Sequence, residues 1–407
     1  MDEINRQTNM FRLFAIGILW STISISISAQ TDSLFFKALG FLHYHRYDSS
    51  TYYLKTILQT DPSNTHYQQT YATVLSAQKK WQEALAIYKN LNSNNRYYKL
   101  SRLYALLDDT AKSFFYLKKV LQQKEHTPLV VLQSDSAFAK IKTTPQWDSL
   151  FENHQDKPYQ ELINQIAYDT NYQHYTQAIE TIDTYLKQHP QKHFLYYLEG
   201  VILESQHDTA GALPYFKKAF DLKSQTTTYR LAFARSLITN KKYKKAIAIL
   251  SYFTQHKTYQ AIFLKWLGIA YFKTKKWNQA VFFLKRYTQF FYNDDEAYFL
   301  LAQAYTNIRQ RQNALLAINK AIKCNTKNTS SYIKFRGKLY VNMKIYRMAL
   351  IDLKNTLDIH PDDGESYLYL GLAYHGIGNK RDACRALEKA VDLQFMEANK
   401  YRLKFCH

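Results

Sequence analysis

Residues 260–290 read QAIFLKWLGIAYFKTKKWNQAVFFLKRYTQF, and their pattern decides the fold. Two small residues, Gly268 and Ala280, stand twelve positions apart, and the bulky Leu284 follows one helical turn after the second. Two antiparallel helices approach closely only where the facing side chains are small, and larger side chains fill the groove beside the contact. The pattern therefore predicts two helices joined by a short turn.

The same pattern recurs along the chain with a period of 34 residues, interrupted by one step of 35. We expect the following small residues to pack helix against helix: Gly200, Ala212, Ala246, Gly268, Ala280, Ala314, Gly337, Ala349, Gly371 and Ala383. Each helix pair exposes an apolar face that only the next pair can cover. The units must therefore stack into an array.

The unit resembles the tetratricopeptide repeat (TPR). Residues 364–393, GESYLYLGLAYHGIGNKRDACRALEKAVDL, place Leu370, Gly371, Ala383 and Leu387 at the signature positions of that family. The proline that the family carries at the end of a unit is present only as Pro62, Pro190 and Pro361. The resemblance implies an all-α, right-handed superhelical solenoid that binds other proteins.

We expect about ten helix-turn-helix units in two blocks. The second helices of the early units are weaker matches, and a proline-rich stretch breaks the register between the blocks, which favours a hinge or kink there. A last unit needs a cap, because its outer face has no neighbour. The predicted parts are an N-terminal block at 30–125, an irregular connector at 126–160, a C-terminal array at 161–395 and a capping helix at 396–407.

Residues 1–29 have the features of an export signal. Two arginines precede an uncharged run, and small residues stand before Gln30, where a signal peptidase would cut. The run is shorter than the roughly twenty apolar residues that cross a membrane. We expect cleavage near Ala29 and a mature protein in the periplasm or at the outer envelope, while an uncleaved anchor and a start at Met10 stay open. The composition resembles that of proteins from the Bacteroidetes group.

The composition excludes several classes of protein. The chain of 407 residues has 54 Lys and Arg against 33 Asp and Glu, and its hydrophobic fraction of 46% is too high for a disordered chain. Only 10 Gly and 7 Pro argue against an all-β fold and against a glycine-looped nucleotide site. No residues assemble a nucleophile, a base and an orienting group, and no cysteines have zinc-ligand spacing. We expect no enzyme activity, no cofactor and no metal.

The three cysteines lie in the second half of the chain. We expect a disulfide between Cys384 and Cys406, which would tie the capping helix to the last repeat of an exported protein. Its loop of about 22 residues is worth roughly 3 kcal/mol in the chain-entropy model. Two buried free thiols are the alternative. Cys324 is expected to be a buried small residue near the end of a helix.

Lysine pairs recur in the turns predicted within the helix pairs. We expect them to form a basic edge from Lys79, Lys80, Lys241, Lys242, Lys244, Lys245, Lys275 and Lys276. The edge fits either a solvated surface that keeps the chain soluble or a contact with anionic phospholipid, glycolipid or an acidic protein. Export argues against nucleic acid as the partner.

The resemblance also implies that the first helices of the units line a concave groove. The groove positions of the family correspond to Arg235, Lys265, Gln303, Asn307, Lys334, Lys338 and Asn342. Such side chains can hold the carboxylates of a peptide by charge-assisted hydrogen bonds. The two-carboxylate clamp of the family has Lys and then Asn four residues later, and here Lys338 follows Lys334, so that clamp is not reproduced.

The function favoured by these observations is a non-enzymatic protein–protein interaction scaffold in the cell envelope, with a partner protein or an acidic peptide in the groove. The alternative is peripheral binding to an anionic envelope surface through the basic edge. The oligomeric state stays open.

Overall fold

The computed structural model describes residues 29–93, 95–123, 126–152, 158–255, 262–324 and 329–406. The predicted export signal lies outside these residues except for its last position. All regular elements in the described part of the chain are helical, and none of these helices is long and apolar enough to span a bilayer.

The described α-helices number twenty-three. They are α1 (Ala29–His43), α2 (Tyr47–Thr60), α3 (Thr65–Ala77), α4 (Trp81–Asn90), α5 (Arg96–Leu106), α6 (Thr110–Leu121), α7 (Leu129–Ser134), α8 (Pro145–Glu152), α9 (Pro158–Asn171), α10 (Tyr175–Gln188), α11 (His193–Ser205), α12 (Thr209–Leu222), α13 (Thr227–Thr239), α14 (Tyr243–Gln255), α15 (Ile262–Lys273), α16 (Trp277–Thr288), α17 (Asp295–Asn307), α18 (Arg311–Cys324), α19 (Thr329–Asn342), α20 (Tyr346–Ile359), α21 (Gly364–Gly376), α22 (Lys380–Asp392) and α23 (Glu397–Phe405).

Ten helix pairs follow one another in the described residues, from α1/α2 to α5/α6 and from α9/α10 to α21/α22. Within each unit the two helices of a pair pack against each other, as in α5/α6, α11/α12, α17/α18 and α21/α22. The prediction of an all-α solenoid is confirmed. In each pair, the helix that comes first in the chain is called the first helix below, and the other the second helix.

The small residues lie where the two helices of a pair meet. A Cβ atom added at Gly268 would lie 2.6 Å from Leu284 Cγ, and one added at Gly371 would lie 2.7 Å from Leu387 Cγ. Those distances are too short for carbon atoms in contact, so the leucine of the second helix occupies the space that a side chain would need. The close approach of the helices therefore depends on the missing side chain.

The chain divides into two compact units, and the division lies between Phe263 and Leu264, in the first turn of α15. The hinge expected at 126–160 stays a prediction. There, Leu132, Phe138 and Trp147 are buried against the side of α5 and α6, so the connector belongs to the first unit.

The prolines of the connector explain why the sequence suggested a break. Pro145 and Pro158 are the first residues of α8 and α9, where a missing N–H costs nothing. They begin helices in the connector and do not interrupt one. A short 3-10 helix, Ser136–Phe138, lies between α7 and α8.

The capping helix α23 covers the last repeat. Ala398 is fully buried against Leu387 and Leu368, and the ring of Phe405 stacks on His375 with 3.6 Å between the ring centroids. Cys384 and Cys406 are joined by a disulfide, which ties α22 to the residue that follows α23. The third cysteine, Cys324, ends α18 and is half-buried, whereas a buried position was expected.

A left-handed residue follows the first helix of all ten described pairs. These residues are His45, Lys79, Asp108, Gln173, His207, Lys241, Lys275, Arg309, Lys344 and Gly378. At Lys241, the N–H donates to the carbonyl of Ile238 at 3.0 Å, and the N–H of Lys242 donates to that of Leu237 at 2.7 Å. This is the Schellman ending of a helix, which glycine usually occupies, yet only one of the ten is glycine.

Glycine at Lys241 should stabilise the first unit. Left-handed backbone costs a non-glycine residue roughly 1–2 kcal/mol, and the freedom of glycine in the unfolded chain takes back roughly 0.5–1 kcal/mol. We expect Lys241→Gly to raise the free energy of unfolding by about 0.5–1 kcal/mol, and Lys79→Gly/Lys241→Gly by twice as much, in urea unfolding.

The matched control is Lys242→Gly, since Lys242 is the next residue and has no positive φ. There glycine brings only its entropic cost, and we expect a loss of roughly 0.5–1 kcal/mol. Equal shifts at the two positions would contradict the role of the left-handed turn.

Candidate functional site

The groove cation Lys265 is bound to carboxylates of its own chain. Its Nζ lies 2.9 Å from Asp294 Oδ2 and 2.9 Å from Glu296 Oε2, at the start of α17 in the next repeat. Burial lowers the pKa of Lys265, but the two carboxylates outweigh burial and leave the pKa raised. Lys265 therefore stays charged and ties one first helix to the next.

The same arrangement recurs two repeats later. Lys334 on α19 lies 2.8 Å from Asp363 Oδ2 and 2.9 Å from Glu365 Oε2, and Lys338 also binds Glu365. Lys334 and Asp363 are 29 residues apart, as are Lys265 and Asp294. These ion pairs connect successive repeats of the second unit.

The remaining groove positions do not gather into one site. Arg235 lies in the first unit and pairs with Glu204, whereas the other six lie in the second unit. Asn307 is exposed, and its amide donates to the carbonyl of Gln303 in the preceding turn at 2.9 Å. Asn342 is exposed at the end of α19.

We expected the groove cations to meet a partner's carboxylates, but the structure pairs the four basic ones within the chain. The reason is that the acidic residues at helix starts have two roles. Asp294 and Asp363 cap α17 and α21 through their side chains, and each also accepts a lysine of the preceding repeat.

All eight lysines of the predicted basic edge are exposed. None of them has a carboxylate within ion-pair distance in the described part of the chain. Lys79, Lys241 and Lys275 occupy the left-handed turn position, and this backbone geometry explains why Lys241 and Lys275 stand 34 residues apart. A binding role for the edge remains a prediction.

A cavity of about 290 Å³ lies in the first unit, where helices α3, α4 and α5 meet. The first helices α3 and α5 provide most of its wall. Its lining residues are Thr73, Ser76, Ala77, Tyr88, Lys99, Arg102, Leu103 and Leu106. The hydroxyls of Thr73 and Tyr88 lie 3.1 Å apart, so the wall combines hydroxyl groups, two cations and aliphatic side chains.

The two cations of this cavity differ. Arg102 Nε lies 2.5 Å from Asp135 Oδ2, and the hydroxyl of Tyr98 donates to the same oxygen at 2.7 Å. Asp135 also accepts the N–H of Ala137, so this carboxylate fastens the connector to α5. The guanidinium of Arg102 is therefore already paired with a carboxylate of its own chain.

Lys99 has no carboxylate within ion-pair distance in the described residues. Burial and the nearby cation of Arg102 lower the pKa of Lys99 to about 8, and the more distant Asp135 offsets this only in part. The pKa values of Lys265 and Lys334 shift in the opposite direction. An incoming anion beside Lys99 would restore a missing interaction.

Sequence reasoning missed this cavity because it relied on the regular second half of the chain. Ser101 and Ser113 stand twelve residues apart in the weak third unit, in place of the usual glycine and alanine. That register would have put Lys99 and Arg102 beside the packing position of α5. The ion pair with Asp135 across the connector had no sequence signal.

Family models of the tetratricopeptide repeat match residues 295–328 and 365–393. The first match begins with α17 and contains α18, and the second spans α21 and α22. The chain contains tetratricopeptide repeats. No curated protein matches it at a significant level.

Solved structures of other TPR proteins resemble parts of the chain. MamA from Desulfovibrio magneticus RS-1 is 25% identical over 35% of this chain and 87% of its own, with a TM-score of 0.32. YrrB, described as a TPR protein with an unusual peptide-binding site, is 17% identical over 54% of this chain and 97% of its own, with a TM-score of 0.33. A chain of the APC/C hetero-tetramer Cut9–Hcn1 is 14% identical over 94% of this chain and 97% of its own, with a TM-score of 0.43.

One TPR core position holds an acid. Glu199 on α11 is fully buried, and neither carboxylate oxygen has a hydrogen-bond partner of good geometry in the described residues, although the hydroxyl of Tyr215 lies beside the carboxylate. Burial raises the pKa of Glu199 to about 7; the hydroxyl of Tyr215 opposes this shift and the carboxylate of Asp183 adds to it. The same position of other TPR units holds Leu267, Leu301 and Leu370.

Another TPR unit places a charge at this position and satisfies it. Arg336 on α19 donates through Nε and Nη2 to the two oxygens of Asp352 on α20, at 2.7 and 2.8 Å. Tyr215 stands where Asp352 stands, so Glu199 faces a hydroxyl and not an opposite charge. Glu199 is therefore a weak point of the TPR core at neutral pH.

Glu199→Gln should remove a pH dependence of stability. The folded pKa of Glu199, about 7, is higher than its ordinary value of 4.5, so its contribution to stability is complete below pH 4.5 and is lost as the pH rises through 7. A difference of this size corresponds to about 3 kcal/mol above pH 8. We expect Glu199→Gln to unfold at higher urea concentration than the natural chain at pH 8.

At pH 4.5 most of this advantage should be gone, because Glu199 is protonated in the folded chain and about half protonated in the unfolded chain. The control is Glu180→Gln, which removes an exposed carboxylate from the neighbouring helix α10. If the advantage of Glu199→Gln were as large at pH 4.5 as at pH 8, burial of the charge would not be its cause.

Proposed function

We propose that this TPR chain is a non-enzymatic scaffold that binds a partner protein along the first helices of its repeats, with a partner carboxylate beside Lys99. TPR units are interaction modules, and the family matches support that general function. The observation that carries the specific proposal is the unpaired Lys99 in its cavity.

The chemistry of the cavity favours a carboxylate. Lys99 offers three donors and Arg102 adds positive potential, whereas the hydroxyls of Thr73 and Ser76 already donate to backbone carbonyls of their own helix. The aliphatic side chains beside them would cover the stem of an acidic side chain or the last residue of a peptide. A neutralised groove in the second unit would provide positioning contacts and little attraction for anions.

We also propose that the protein acts in an oxidising compartment of the cell envelope. The disulfide between Cys384 and Cys406 supports this, because such bonds persist outside the reducing cytosol. The signal-like segment at 1–29 supports it independently.

Cell fractionation tests the location. The natural chain should occur in the envelope fraction, start near Gln30 by mass spectrometry and resist thiol alkylation at Cys384 and Cys406, while Cys324 is alkylated after unfolding. A full-length, fully reduced chain in the cytosol would contradict the proposal. The Cys324→Ser variant serves as the control for complete protection.

The binding proposal is tested by crosslinking and capture of partners from envelope extract. Lys99→Gln should reduce capture of the main partner at least tenfold, because the carboxylate loses its charged donor. Capture by the natural chain should also weaken between pH 7 and pH 9, since Lys99 loses its proton around pH 8. Lys241→Gln, which removes an exposed turn lysine, is the matched control.

Acylation by an amine-selective reagent gives a second measurement on the same residue. At pH 8 about half of Lys99 is unprotonated, so it should react faster than the paired Lys265 and Lys334, and bound partner should protect it. Full capture by Lys99→Gln, or loss of capture only in Lys241→Gln, would overturn the pocket and favour the basic edge.

The basic edge supports a second candidate function, which is peripheral binding to an anionic phospholipid or glycolipid surface. The observation in its favour is that all eight lysines are exposed. Purely electrostatic binding of this kind should decline steeply with ionic strength.

A further inference from the structure

Three second helices of the second unit expose a large apolar side chain at the same repeat position. Phe282, Leu316 and Ile351 lie two residues after the packing alanine of α16, α18 and α20, and they are 57%, 67% and 54% exposed. Single apolar side chains on a surface are ordinary. Here they recur at equivalent positions of three consecutive repeats, which stack in one direction and so present them on one side of the unit.

An exposed lysine follows each of these side chains by about one helical turn. These lysines are Lys285, Lys320 and Lys354. Residues three or four apart lie on the same face of a helix, so each apolar side chain has a cation beside it. None of the three lysines has a carboxylate within ion-pair distance in the described residues.

Acidic groups are nearly absent from this face. Helices α16 and α18 contain no Asp or Glu, and on α20 Asp352 is buried against Arg336 while Asp358 is exposed. The pattern ends at the last repeat, where Arg385 occupies the position of the apolar side chain. The face is therefore limited to three repeats and is both apolar and cationic.

We propose that this face of α16, α18 and α20 is a docking surface for an anionic lipid bilayer, with Phe282, Leu316 and Ile351 as anchors. Apolar side chains inserted at the level of the lipid headgroups, together with Lys binding to anionic lipids, give interfacial attachment of this kind. Met348 extends the apolar surface on α20.

The arrangement of the side chains favours a bilayer over a protein partner. A protein interface has a contiguous apolar core with a polar rim. Here the anchors lie on separate helices and each has its own cation, which suits a fluid surface that needs no complementary shape. The face lies in the second unit and shares no residue with the cavity of the first unit or with the basic edge, so each of these surfaces can be tested separately.

Sedimentation with vesicles tests the proposal. The probes are vesicles of phosphatidylcholine alone and of phosphatidylcholine with phosphatidylglycerol, at low and high salt. The full chain and the form beginning at Gln30 are both used, because the apolar run in residues 11–27 would bind vesicles by itself. We expect the form beginning at Gln30 to bind the anionic vesicles at least tenfold more strongly than the neutral ones.

Two sets of variants separate anchoring from attraction. Phe282→Gln/Leu316→Gln/Ile351→Gln should reduce binding to anionic vesicles at least tenfold at either salt concentration. Lys285→Gln/Lys320→Gln/Lys354→Gln should reduce it at low salt and weaken its dependence on salt, because fewer lipid charges are neutralised.

The matched control is Ile377→Gln/Met396→Gln/Leu403→Gln, which removes three other exposed apolar side chains from the second unit. It should bind vesicles as the natural chain does, and circular dichroism should show all variants folded. Equal loss in the control, or no binding of the natural chain to anionic vesicles, would overturn the proposal. A protein captured through this face without vesicle binding would assign it to a protein partner instead.

Discussion

The structure depends on the close approach of two helices at a pair of small residues. Where Gly268 faces Leu284, no space remains for a side chain, and the contact sets the distance within the pair. Each pair then buries its remaining apolar face only against the next pair. This contact determines the period of the repeat and the direction in which the pairs stack. It thereby also determines which side of a unit exposes each cation and each apolar anchor.

The sequence predicted the parts of the fold that depend on local spacing. The 34-residue period predicted the helix pairs, and the positions of Cys384 and Cys406 suggested the link that the structure contains. The sequence did not predict which charged side chains pair with each other, because Lys265 and Asp294 belong to successive repeats and do not lie on one helix. The structure of the connector had no clear sequence signal either, since prolines such as Pro158 occur both where a chain turns and where a helix begins.

Polar groups at core and groove positions separate into satisfied and unsatisfied ones. Arg336 has Asp352, and Lys334 has Asp363, so these groups stabilise the array and have little capacity left for a ligand. Glu199 and Lys99 have no opposite charge within ion-pair distance in the described residues, and burial shifts both pKa values towards neutrality. Unsatisfied charges of this kind are costly to a fold, and in clefts they are often sites of function.

The closed C-terminal end has a consequence for how the chain unfolds. A stack of repeats behaves as a one-dimensional cooperative system, and its terminal units fray first because each has a single neighbour. The bond from Cys384 to Cys406 prevents α23 from detaching without α22. Opening of the second unit from that end therefore requires the last pair and its cap to separate together, whereas a reduced chain could lose them one helix at a time.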